Sequence, residues 1–300
     1  MEIDLGFTND GLSFAGTLSL PESPRPAPGA LLVSGSGPLD RDGNAKRLPI
    51  GVQSQLAAAL ANAGVASYRF DKRGAGGSEG DFPSTGFWDN VSDARAAFHA
   101  MRDHPDIDAD RCFVVGHSEG AAIATELAEE AAGVVLLAAP AQAGRAVLEW
   151  QGGRVSETLP PLVRGILRLF RIDVTRQQAK QLDRLAASTD DVVRVQLQKV
   201  NAKWFREFLV HDPAETLAGL TTPVLAITGM KDIQVDPDDV ARIGSLVAGP
   251  FEGHTPVDVT HLLRTEAGPA SMRTYKAQVK RPIDPEVVRI IVDWLERATA

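Results

Sequence analysis

Short apolar runs alternate with longer stretches of helical spacing along most of this 300-residue chain. Ala30-Leu31-Leu32-Val33-Ser34, Val65-Ala66-Ser67-Tyr68-Arg69-Phe70, Arg111–Val115 and Val134–Ala139 have strand length, and apart from Ser67, Arg69 and Arg111 they are largely apolar on both faces. Between them, Gln53–Ala63, Trp88–Met101 and the residues after Gly120 repeat apolar side chains three and four apart, as a helix with one buried face does. Strands buried on both faces and separated by helices predict a parallel sheet covered on both sides, with sites at the carboxyl ends of its strands. Ahead of this series, residues 1–20 alternate around Asn9-Asp10-Gly11 and predict a β-hairpin. The proline-rich stretch Pro21–Gly29 reads as a connector, unsuited to a central strand because proline cannot donate to the ladder.

The alternation breaks between Ala141 and Pro213, where no strand signal is read. Leu162, Val163, Ile166, Leu167, Leu169 and Phe170 form one apolar stripe at helical spacing, with Arg164, Arg168 and Arg171 on another face. Further helices are predicted within Arg176–Ala187 and Asp191–Val210. This segment holds 12 Lys and Arg against 8 Asp and Glu, whereas the whole chain carries a net charge of −8. The reading is a helical cap at 141–213 inserted into a core domain made of 1–140 and 214–300. Its stripe is taken as packing against the core in preference to a membrane-surface face. Beyond it, Pro223–Thr228 reads as a strand, Asp238–Val247 as a helix and a short segment within Thr255–Val259 as the last strand. Pro285–Arg297 closes the chain as an amphipathic helix, with Asp284 as N-cap and Pro285 at the first helical position.

Composition narrows the class. The 44% hydrophobic and 23% charged fractions are those of an ordinary globular chain, and the acidic net charge argues against a nucleic-acid surface. Cys112 is the single cysteine and reads as a small buried apolar group, so no internal disulfide is expected. The first residues lack the basic start and apolar stretch of a secretory leader, and no run approaches the roughly 20 apolar residues that span a bilayer. A cytoplasmic enzyme acting on a small molecule, without integral membrane association, is the expectation.

The chemistry centres on Gly116-His117-Ser118-Glu119-Gly120, which follows an apolar strand and opens a helix. G-x-S-x-G at a strand-to-helix turn presents serine as a nucleophile above the sheet edge. Serine needs an adjacent base that a carboxylate orients. Of six histidines, His99 falls inside a helix, His104 precedes Pro105, His117 adjoins the serine, and His211 sits at the junction of cap and core. That leaves His261 and His254, with His261 favoured because it follows the last strand segment. For the acid, Asp232 lies just past the strand Val224–Thr228, giving the order Ser, Asp, His; the competitor Asp236 reads better as a helix start. Two amides must bind the oxyanion: that of Glu119, and one from Ser34-Gly35-Ser36-Gly37-Pro38, assigned to Ser36 with Gly37 as the near alternative. Asp40–Asn44 and Asp71–Ser78 follow strands at the same edge, and their charges read as scaffolding for these loops.

With these residues in view, the chain resembles the α/β-hydrolase superfamily, in particular its branch of bacterial carboxylesterases and lysophospholipase-like hydrolases. The resemblance rests on residues 34–42, Tyr68-Arg69-Phe70-Asp71-Lys72-Arg73-Gly74, the pentapeptide at 116–120, Gly229–Val235 and His261-Leu262-Leu263. It implies a Ser118–His261–Asp232 triad, no cofactor or metal, and a helical lid over an acyl pocket. Ser34 stands where many relatives carry histidine before the oxyanion glycine. The implied reaction is hydrolysis of carboxylic esters of small to medium acyl chain through an acyl-enzyme. Thioester, acyl-transfer and aminopeptidase chemistry remain alternatives on the same triad, as does a non-catalytic ligand-binding module.

Overall fold

The computed structural model describes residues 1–22, 25–158, 160, 173–195 and 197–299. Its strands are β1 (Glu2–Asp4), β2 (Phe7–Asn9), β3 (Leu12–Phe14), β4 (Gly16–Ser19), β5 (Ala27–Val33), β6 (Ala66–Phe70), β7 (Ile107–His117), β8 (Gly133–Leu137), β9 (Val192–Val195), β10 (Gln198–Asn201), β11 (Val224–Ile227) and β12 (Phe251–His254). Among the described residues, eight of them form one sheet in the order β1-β4-β6-β5-β7-β8-β11-β12. From β6 to β12 neighbouring strands run parallel, while β4 pairs antiparallel with both β1 and β6. This is the mixed, mostly parallel sheet the alternation predicts. The β2–β3 hairpin turns at Asp10 and Gly11, both at positive φ (51° and 75°), as the Asn-Asp-Gly signal requires.

Helices cover both faces. Successive side chains along each strand point to opposite faces of the sheet. Leu31, Val33, Val114 and Leu136 pack with Phe87, Val91, Ala94 and Phe98 of α2 (Phe87–Arg102), a helix that follows α1 (Val52–Asn62) in the chain, and with Ala121 and Ile123 of α3 (Glu119–Glu126). Leu32, Val115, Val135, Leu137 and Ile227 face the other way, against Leu56 and Leu60 of α1 and the C-terminal helix Pro285–Thr299. Asp284 caps that helix, its Oδ1 accepting from the amides of Glu286 at 2.9 Å and Val287 at 3.3 Å. Cys112 is buried. No helix of the described residues is long and apolar enough to cross a membrane.

Three features correct the sequence reading. β5 starts at Ala27, so Pro28 lies inside a central strand. Its missing N–H is tolerated because the register on β7 jumps there, from Ala27 opposite Ile107 to Gly29 opposite Cys112. The inserted segment is not purely helical. It contains α4 (Gly144–Glu157), α5 (Val174–Ala186), the antiparallel β9–β10 hairpin and α6 (Ala202–Val210). Val192-Val193-Arg194-Val195 is rich in β-branched residues, and the Asn201 carboxamide caps α6 by accepting from the Trp204 amide at 2.9 Å, which confines the helix to the second half of the predicted span. Finally, the last strand is Phe251–His254 and not Thr255–Val259. Phe251 packs on Gly244, and from Thr255 the chain leaves the sheet towards Pro256. The stripe Leu162, Val163, Ile166, Leu167, Leu169 and Phe170, with Arg164, Arg168 and Arg171, lies outside the described residues.

Candidate active site

Ser118 stands between β7 and α3 with φ 59° and ψ −122°, a conformation that costs energy for any residue with a Cβ. The flanking glycines make the bend possible. A Cβ on Gly116 would overlap the Gly120 carbonyl, and one on Gly120 would overlap the Val33 carbonyl. The Ser118 amide donates to the Leu137 carbonyl at 2.8 Å, which holds the turn to the end of β8. The side chain is half-buried, at the junction of two cavities.

Asp232 and His261 come together from separate loops. Asp232 sits in the turn after β11, buried, and its Oδ1 accepts from the amides of Gln234 at 2.7 Å and Val235 at 2.9 Å. Its Oδ2 lies 2.8 Å from His261 Nδ1. His261 also lines a cavity of about 220 Å³ together with Ser118. Ser118 and His261 therefore share a cavity wall, with no direct hydrogen bond between hydroxyl and imidazole. His254, the alternative base, pairs with Glu252 at 2.8 Å on the edge strand β12. Asp236, the alternative acid, binds Arg242 at 3.1 Å and the Asp238 amide at 3.1 Å, as a helix start does.

His117 has a part that its position beside the serine does not announce. Its Nε2 lies 2.8 Å from the His261 carbonyl. Burial, with the neighbouring His261 as the second cause, pushes its pKa down from 6.5 to about 3, so the ring is neutral and Nε2–H donates. Arg264 is a second such residue. It is wholly buried and donates to the Leu262 and Ile50 carbonyls, each at 2.6 Å, with burial lowering its pKa to about 10. Ile50 and Leu262 both line the larger cavity, so this clamp fixes its wall.

The loop after β5 passes close to the serine: a Cβ on Gly35 would lie 3.3 Å from Ser118 Cβ. The amides of Ser36 and Glu119 carry no hydrogen bond within the described residues, and both residues line a second cavity of about 60 Å³ with Ser118, Trp204 and Phe208. The loop is anchored from outside the site. Asp71 accepts from the Arg41 amide at 2.6 Å, the Arg41 guanidinium at 2.7 Å and the Gly77 amide at 2.8 Å. Those hydrogen bonds, with the guanidinium beside it, hold the Asp71 carboxyl below its usual range against the cost of burial, which is the largest single influence. The charged residues of both loops thus act as the scaffolding expected of them.

Residues 50–248 match the model of the family described as serine aminopeptidase, S33. The chain belongs to this family. It is also similar to Esterase EstD of Thermotoga maritima, with 27% identity over 284 residues that make up 93% of this chain and 65% of that protein. This S33-family chain thus spans about two thirds of that relative's length. Among solved structures, Est1E from Butyrivibrio proteoclasticus with ferulic acid bound superposes with a TM-score of 0.66 at 16% identity, covering 98% of this chain and 99% of that one. The proline iminopeptidase of Mycobacterium smegmatis gives 0.64 at 16%, covering 99% and 98%. The shared architecture is the α/β-hydrolase fold.

Proposed function

We propose that this chain is a serine hydrolase that cleaves carboxylic esters through an acyl-enzyme. In this reading Ser118 Oγ attacks the ester carbonyl while His261 Nε2 takes its proton. Asp232 keeps Nδ1 protonated and favours the imidazolium that forms. The amides of Ser36 and Glu119 bind the oxyanion, and His261 then protonates the departing alcohol and activates water for deacylation. Segment 141–213 serves as the cap, with Val147, Leu148, Trp204 and Phe208 closing the smaller cavity. The modest volumes on either side of the serine suit small to medium acyl groups. The observation that carries the reading is a strained serine at one wall of a cavity whose other wall holds an imidazole already bound to a buried carboxylate.

An ester is favoured over a peptide with a free amino terminus, the substrate that the family description brings to mind. Among the described residues lining the two cavities, Glu119 is the one carboxylate, and three donors already hold it. Glu149 and Glu157, candidates for an amine anchor, pair with Arg145 and Arg154, and Glu207 accepts from the Trp88 amide.

Ser118→Ala tests the assignment directly. Turnover of a short-chain nitrophenyl ester should fall by about a million-fold, the scale of removing the serine from a comparable triad. A fluorophosphonate should label the wild-type chain at Ser118 and leave the variant unmarked. Wild-type turnover in the variant would end the proposal.

A further inference from the structure

Lys72 is a buried cation with no place in the reaction as described. It is 5% exposed, as is its partner Glu119, and it lines neither cavity. Its Nζ donates to the Gly35 carbonyl at 3.1 Å and to Glu119 Oε2 at 3.2 Å. These two acceptors have something in common. The Gly35 carbonyl belongs to the peptide whose N–H is that of Ser36, and Glu119 supplies the other amide assigned to the oxyanion. We propose that Lys72 is a positioning residue for the oxyanion hole, holding both amides through one ammonium group. The proposal rests on the ester-hydrolase reading above.

The physical argument runs through the peptide plane. In a trans peptide the carbonyl and the N–H point in opposite directions. An ammonium fixed on the Gly35 oxygen therefore turns the Ser36 N–H away from itself. A charge-assisted hydrogen bond to the carbonyl also polarises the same peptide and makes its N–H a stronger donor. The second contact sets the height of the loop above the elbow, because Glu119 is rigidly attached to the start of α3. Glu119 is itself immobilised: its Oε1 accepts from Asn90 Nδ2 at 3.0 Å and from Trp204 Nε1 at 2.8 Å. Trp204 comes from the inserted segment and lines the smaller cavity, so the network also joins that segment to the elbow. A buried ion pair is an inefficient way to gain stability, since desolvation offsets most of the attraction. Here the pair sets the geometry of two donors.

Two variants test the proposal: Lys72→Met, and Lys72→Met with Glu119→Gln, which removes both buried charges together. Each is compared with wild type for kcat and KM on a short-chain nitrophenyl ester, for melting temperature, and for the Kd of an alkyl boronic acid that forms a tetrahedral adduct on serine. The expected result is a folded double variant whose kcat falls roughly ten- to a hundredfold, less than deletion of a donor costs. Boronate affinity should fall by the same factor and KM should not change. A merely structural lysine would lower the melting temperature and leave that split untouched. Wild-type kcat and boronate affinity in a folded variant would overturn the proposal, as would a loss confined to KM, or failure of both variants to fold. Absence of boronate binding by the wild-type chain would instead bring down the nucleophile assignment, and the role of Lys72 with it.

Discussion

The two sides of Ser118 are held by different forces. On the imidazole side, the described residues give Asp232 no lysine or arginine partner; two backbone amides and His261 satisfy it. The neutral ring of His117 fixes the His261 backbone. On the amide side a full ion pair, Lys72 with Glu119, sits just behind the donors. The contrast follows the charge that each side must carry. In the proposed reaction the imidazole becomes a cation, and a fixed cation beside it would oppose that step. The carbonyl oxygen becomes an anion, and a fixed cation one peptide away favours it. In that proposed reaction the Asp232–His261 pair itself is held by hydrogen bonds, the buried Arg264 guanidinium being bonded to the Leu262 and Ile50 carbonyls, while an ammonium stands behind the two amides.

The comparison can be broken most severely on the imidazole side. Asp232→Asn keeps the shape but offers an amide where Nδ1–H needs an acceptor, so the tautomer is wrong and kcat should fall by about 10⁴-fold. Steady-state kinetics on a short-chain ester measures it, and a loss below tenfold would show that Asp232 does not orient the base.

A second experiment sharpens the role of neutrality. The His117 pKa is depressed in the folded chain to about 3 from 6.5, so between those values the unfolded chain binds the extra proton. Stability is thus fully present above 6.5 and is lost as pH falls towards 3, by about 2 kcal/mol at pH 5 from this group. His117→Gln retains a neutral donor and lacks that titration. Denaturant unfolding at pH 5 and pH 7.5 should show the wild type losing more than the variant. Equal losses would contradict the neutral assignment.

The smallest effect belongs to the amide side. Trp204→Phe keeps the stack on Phe208, whose ring lies 4.6 Å away, and removes only the indole donor to Glu119. The expected cost is about 1.5 kcal/mol of stability, typical of a hydrogen bond to a charged group. Thermal unfolding reads it, and an unchanged melting temperature would show that the indole contact carries no energy.

Much of this was legible in the residues themselves. Strands apolar on both faces and helices with one apolar stripe follow from periodicity, so the sheet, its flanking helices and the elbow at Ser118 came from local pattern. Asp232 follows from the strand end before it, whereas His261 is favoured by a strand within Thr255–Val259 that the fold does not form, the last strand ending at His254. Their meeting at 2.8 Å is a property of the fold. The errors have separate physical causes. Pro28 in a central strand depends on a bulge in its neighbour, and the final strand at Phe251–His254 depends on a glycine in the helix above it. The bulge is far from Pro28 in sequence, while Gly244 precedes Phe251 by seven residues and matters only once its helix packs on the strand. The hairpin at 192–201 was misread because its β-branched run is short and merges into the helix at 202–210.

The sequence by itself determined the order of elements, the two-sided burial of the sheet and the sharp turn that carries the serine, because each depends on neighbours a few residues away. Tertiary structure alone decided that Lys72 reaches Gly35 and Glu119, that Trp204 completes the shell of Glu119, and that His117 secures the backbone of His261. Those contacts link residues between 37 and 144 positions apart. A buried polar group must find a partner wherever the fold brings one, and no local pattern announces which one that will be.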